Sequence, residues 1–120
     1  MNDNDLGRIE RELSVTLPPE YRALQLSYPN DLDSDIREHE IFDDAERVIA
    51  ETKLARSNDF MTSSWQAAYV VIGDSGCGDW YFLDTTQSPA PVRCWNHEID
   101  EIEDEATDIQ KWYIAIKSDA

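Results

Sequence analysis

Residues Tyr69 to Asp84, YVVIGDSGCGDWYFLD, decide the fold. Tyr69–Ile72 and Trp80–Leu83 are runs of β-branched and aromatic residues, and three of the chain's four glycines lie between them. Two such runs around a glycine-bearing connection read as a β-hairpin. Neither run alternates apolar with polar, so both faces of the hairpin are expected to be covered. That makes it the central element.

On its C-terminal side, TTQSPAP (Thr85–Pro91) reads as a turn, because its two prolines cannot donate to a ladder. Val92–Trp95 then supplies another strand. Glu98–Asp108 holds seven acids and no base, which predicts an exposed loop or a helix start. Thr107 or Asp108 can cap a last helix whose Ile109, Trp112, Tyr113 and Ile116 recur at i, i+3, i+4 and i+7.

On its N-terminal side, Asn4 or Asp5 can cap a first helix that places Leu6, Ile9 and Leu13 on one face. Pro18 closes the following segment and Pro19 suits the first turn of a second helix, with Tyr21, Leu24 and Tyr28 inward and Pro29 as its stop. Residues 30–40 read as an acidic loop, and His39–Phe42 as a short strand. Asp43 and Glu46 have capping-box spacing before a helix that runs to Arg56 and buries Ala45, Val48, Ile49 and Thr52. The order α-α-β-α-β-β-β-α, with tight connections between strands, predicts an α+β fold: one domain over residues 1–120, a mainly antiparallel or mixed sheet and flanking helices.

The formal net charge is −16, and it is spread along the chain: residues 1–60 carry fifteen acids against seven bases, residues 61–120 eleven against three. Such a surface repels nucleic acids and anionic membranes and speeds encounter with a basic protein. The plainer reading is that acidity keeps the protein in solution. With no apolar run of spanning length and no basic, apolar leader in MNDNDLGRIE, a cytoplasmic protein is expected. Cys77 and Cys94 are then expected as free thiols.

Several short patterns suggest chemistry and fail on inspection. Gly73-Asp74-Ser75-Gly76 matches the surroundings of a chymotrypsin-like serine nucleophile, but that chemistry needs a base and a third group held in a geometry this fold does not supply. Turn chemistry accounts for the same residues. Cys77, read as a buried or half-buried turn thiol, sits near Asp74 and Asp79, a neighbourhood opposite in sign to one that activates a thiolate. Cys94 and His97 form a single C-x-x-H, short of the paired ligands of structural zinc. Asp31, Asp33 and Asp35 alternate as in a calcium loop, yet Ile36 and Phe42 stand where that loop needs glycine and glutamate. No catalytic residue, metal or cofactor is therefore expected.

What remains is acidic surface. Asp31, Asp33, Asp35 and Glu38, then Asp74 and Asp79, then Glu98, Asp100, Glu101, Glu103, Asp104 and Glu105 are candidate contacts for a basic protein partner, with Trp65 and Trp95 as aromatic anchors.

The opening IERELSVTLPPEYRALQLSYPND (Ile9–Asp31), the hairpin VIGDSGCGDWYFLD (Val71–Asp84) and PVRCWNHE (Pro91–Glu98) together resemble the SUKH superfamily, which includes the SMI/KNR cell-wall regulators. The resemblance spans nearly the whole chain in order, and departs at Tyr28-Pro29-Asn30-Asp31, where a glycine usually follows the Asn. It implies an α+β domain without catalytic residues. Bacterial members are mostly immunity proteins that bind and neutralise polymorphic toxins, nucleases prominent among them, whereas fungal relatives are scaffolding regulators. A stoichiometric inhibitor of a toxin with a basic cleft is the expected role, acting as a monomer or a dimer; a regulatory or scaffold module without a toxin is the alternative.

Overall fold

The computed structural model describes residues 1–28, 41–57 and 65–119. The YVVIGDSGCGDWYFLD stretch forms the first two strands of a four-stranded antiparallel meander: β1 (Tyr69–Asp74), β2 (Trp80–Asp84), β3 (Val92–Asn96) and β4 (Glu101–Ala106), in that spatial order. Among the described residues three helices precede the sheet, α1 (Asp3–Leu13), α2 (Pro19–Leu26) and α3 (Ala45–Arg56), and α4 (Ile109–Asp119) follows it. The α+β class and the antiparallel pairing agree with the sequence reading.

Pleating divides the strands between two faces. Trp80 and Phe82 lie on one face, with Trp95 opposite Trp80 and Val71 opposite Phe82 in register. The rings of Trp65, Tyr69, Trp80, Phe82 and Trp95 form a connected cluster there, with Trp65 and Tyr69 each 4.7 Å from Phe82 and Trp80 5.1 Å from Trp95. The other face carries Tyr81, Leu83, Val70 and Cys94, and Tyr81 meets the ring of Trp112 on α4 at 5.5 Å. Both faces are covered, which is why neither run alternates.

α3 packs on β1 and against α1. Its inward set is the one the spacing predicts, since Ala45, Val48, Ile49 and Thr52 are all buried. Thr52 does more than fill space: its Oγ1 accepts the Val71 N–H at 2.9 Å, and Phe42 N donates to Ile72 O at 2.9 Å. The outer edge of β1 is thereby satisfied from within. Thr52→Val, nearly the same in shape, strands that buried N–H and is expected to cost about 1–3 kcal/mol. Urea denaturation reads the loss, and Thr52→Ser, which keeps the oxygen, should recover most of it.

The N-terminal corner is fixed by polar contacts. Asn2, rather than Asn4 or Asp5, caps α1: its side chain accepts from Asp5 N at 2.9 Å while Asp5 accepts from Asn2 N at 3.0 Å. The reciprocal pair wins because it satisfies two donors together. Glu10 accepts from Leu17 N at 2.9 Å and from Arg22 at 3.0 Å, holding the Leu-Pro-Pro corner between α1 and α2. α2 ends at Leu26, before Pro29, and its buried residues are Tyr21 and Gln25 while Leu24 is half-buried. Gln25 Nε2 donates to Phe42 O at 2.9 Å and to the Tyr21 hydroxyl at 3.2 Å. Burial pushes that hydroxyl far above the usual tyrosine pKa, so it stays protonated.

Two further boundaries differ from the spacing-based reading. α3 is capped by Asp44, whose carboxylate accepts from Glu46 N, because Asp43 lies one residue too early for that bond. Glu101–Ala106, expected as a loop or helix start, is β4. Its acids project from an exposed edge strand, where β3 supplies the pairing and water the solvation. Residues 29–40, with the acidic loop and the first half of the strand expected at His39–Phe42, lie outside the described residues; Ile41 and Phe42 are irregular chain and not a strand, and Phe42 makes a single edge bond to Ile72.

At the β2–β3 turn Asp84 accepts from Thr86 N at 3.0 Å, Thr86 Oγ1 at 2.6 Å and Gln87 Nε2 at 2.9 Å. Burial alone would raise its pKa, but those bonds and the Arg93 charge outweigh it and hold the carboxyl below the usual range.

Candidate partner-binding surface

A meander puts alternate turns at the same end of the sheet, so the β1–β2 and β3–β4 turns are neighbours. In the first, Asp74 accepts from Gly76 N at 2.8 Å, Ser75 Oγ accepts from Cys77 N at 3.2 Å and Asp79 N at 3.3 Å, and Ser75 N donates to Asp79 O at 3.0 Å. These bonds are why the sequence there is Asp-Ser-Gly: each short polar side chain folds back onto the backbone. The serine-nucleophile pattern is turn chemistry.

The second turn is tied to the first. Asp79 accepts from His97 N at 3.0 Å and contacts His97 Nδ1 at 2.5 Å, while a Cβ on Gly78, whose φ is +109°, would lie 3.2 Å from the His97 ring. The imidazole occupies space that only glycine leaves, in a backbone conformation that L side chains rarely adopt. Trp95 Nε1 donates to Asp100 Oδ1 at 2.8 Å, fixing the far side of the β3–β4 turn.

This end of the sheet gathers Asp74, Asp79, Glu98, Asp100 and, at the start of β4, Glu101, while Glu103, Asp104 and Glu105 run along β4 toward the β2–β3 turn. Asp74, Asp79 and Asp100 are partly buried and bonded as described; Asp74 also pairs with Arg47 at 3.0 Å. Glu98, Glu101, Glu103, Asp104 and Glu105 are exposed, and Asp104 pairs with Arg93 at 3.1 Å. Asp31, Asp33, Asp35 and Glu38 lie outside the described residues.

The two tryptophans are not free surface anchors. Trp95 is only 3% exposed, and Trp65 is half-buried with its ring against Tyr69, Trp80 and Phe82. Their area is spent on the core because they flank the aromatic face. The exposed apolar residue at this end is Ile99, 56% exposed in the β3–β4 turn among Glu98, Asp100 and Glu101. The signal in the sequence is an isoleucine flanked by Glu98 and Asp100 in a turn.

The thiols are free, with Cys77 exposed in its turn, contrary to the buried or half-buried position expected, and Cys94 buried. Burial, then the charges of Glu105, Asp79 and Glu103, push the Cys94 pKa up to about 12, so that thiol is neither a nucleophile nor a ready metal ligand. Among the described residues no group of three or more His, Cys, Asp or Glu side chains could hold a metal ion, and no helix is long and apolar enough to cross a membrane.

Glu105 shows what the crowding of acids does. Burial first, then Glu103 and Asp79, raise its pKa. An acid whose pKa is higher folded than unfolded contributes no penalty below the unfolded value and a full one above the folded value. Glu105→Gln is therefore expected to raise the melting temperature at neutral pH. Melting curves across pH should show the advantage fading as pH falls through the carboxylate range.

No curated protein and no solved structure matches this chain. The model of the SMI1 / KNR4 family (SUKH-1) matches residues 1–115, taking in all three stretches on which the resemblance rests and the whole sheet. The chain belongs to the SMI1 / KNR4 family, SUKH-1.

Proposed function

We propose that this protein is an immunity protein: it binds a cognate toxin in a stoichiometric complex, through the acid-lined turn end of its sheet and β4, and blocks it. The observation that carries the reading is the run of acids from Asp74, Asp79, Glu98 and Asp100 at the turn end of the sheet through Glu101, Glu103, Asp104 and Glu105 along β4, of which Asp74 pairs with Arg47 and Asp104 with Arg93. The acids surround an exposed isoleucine, the apolar centre and charged rim of a protein interface in miniature.

The partner that fits is basic, and a nuclease toxin is the foremost case, since a cleft that holds phosphates also attracts carboxylates. Inhibition needs no catalytic residue here: occupying the cleft suffices. The protein works as a monomer in the cytoplasm, where it meets the toxin before the toxin meets its target.

The test is to mix the purified protein with the toxin encoded beside its gene. A complex of fixed stoichiometry, loss of toxin activity at equivalence and an association rate that falls steeply with salt are the expected results. Absence of a complex sinks the proposal. A gene neighbourhood without a toxin favours a regulatory or scaffold role for the same surface.

A further inference from the structure

The two edges of the sheet are treated differently. The outer edge of β1 is closed from within: Thr52 Oγ1 takes the Val71 N–H, Phe42 N bonds to Ile72 O, and α3 lies along the strand. The outer edge of β4 has no such backbone partner among the described residues: α4 contacts the strand, but the hydrogen bonds of its backbone are those of the β3 ladder, and four of its six side chains, Glu101, Glu103, Asp104 and Glu105, are acidic and exposed. In a strand, alternate residues turn their N–H and C=O groups away from the paired neighbour, so β4 presents a row of them to solvent.

The side chains on that edge decide what can pair with it. Glu101, Glu103, Asp104 and Glu105 would face the same acids on a second copy, and like charges opposite one another destabilise a strand pair. The ladder is also broken by a bulge, where Glu105 is the extra residue between the Val92↔Ala106 and Arg93↔Asp104 pairs. Charge and bulge together disfavour pairing of β4 with β4 of a second copy. Neither excludes a strand of opposite charge, whose lysines and arginines would sit at cross-strand positions beside these carboxylates.

We propose that the open edge of β4 takes up an extended, lysine- and arginine-bearing segment of a partner protein as a fifth strand. Backbone bonds supply the docking and the acids select the sign of charge, while Ile99 at the head of the strand offers an apolar contact. That this partner is the toxin rests on the function proposed above; the strand pairing does not.

The probe is a short synthetic peptide of alternating lysine and threonine, with two companions: the same peptide N-methylated at alternate backbone nitrogens, and one of alternating glutamate and threonine. At low salt the first should slow hydrogen exchange of the β4 amides by about tenfold or more, and N-methylation on the pairing side should weaken binding by a similar factor. The glutamate peptide should not bind. Equal binding of the methylated peptide with β4 amides unprotected would reduce the edge to a charged surface and overturn the proposal, as would failure of any basic peptide to bind. Concentration-dependent dimerisation through β4 would give the edge to a second copy and overturn it too. A toxin complex that leaves β4 unprotected defeats the strand pairing alone. A protected β4 with no toxin complex defeats the immunity reading alone.

Discussion

Phe82→Ala is expected to lower the free energy of unfolding by about 3–5 kcal/mol, the usual range for emptying a phenylalanine site that cannot collapse. Phe82 is fully buried on the central strand β2, and the rings of Trp65 and Tyr69 lie against it. Those neighbours are held by the strand and by one another, so they cannot close the cavity. Set against a typical domain stability of about 5–15 kcal/mol, the loss leaves little margin. Urea titration followed by tryptophan emission should show the midpoint falling at unchanged slope, with Phe82→Leu, which keeps most of the volume, costing under about 1.5 kcal/mol. A small effect of Phe82→Ala would mean that the aromatic cluster is not the core.

The second large effect is on binding. Replacing Glu98, Glu101 and Glu103 together by lysine should slow association with a basic toxin by about a hundredfold and flatten its salt dependence, because steering by a charged surface is worth roughly 10- to 1000-fold in on-rate. All three are exposed and their carboxylates hold no structural bond among the described residues, so the fold should keep its stability or gain from the reduced self-repulsion. Stopped-flow association across ionic strength separates the two arms. An unchanged on-rate would move the contact surface elsewhere on the protein.

Much of this was legible in the residues. The YVVIGDSGCGDWYFLD hairpin, the following strand, the inner face of α3 and the four-residue apolar register of α4 could be read because each is a local pattern with one dominant physical cause: burial of one face or both. The turn role of Asp74, Ser75 and Gly76 was also local, since their bonds reach only a few residues, whereas Gly78 answers to the His97 ring from the next turn.

Where the reading missed, a nonlocal partner decided. β4 is so acidic that composition alone argues for a loop; pairing with β3 makes it a strand, and an edge position lets its carboxylates stay in water. The tryptophans were read as surface anchors because nothing in the sequence tells an exposed Trp from a packed one. Trp95 went to the core because β3 sets it opposite Trp80, and its indole N–H is satisfied by Asp100 from the next turn.

The sequence by itself determined the family, the α+β class, the central hairpin and the net negative charge, because periodicity, turn chemistry and charge are properties of the chain. Only the tertiary structure decided where that acidity lies and which edge of the sheet is unpaired among the described residues. Register and turn placement bring Asp79 to His97 and set the acids of Glu101–Glu105 on the last strand of the sheet, while Thr52 and Phe42 close the other edge from distant positions in the chain.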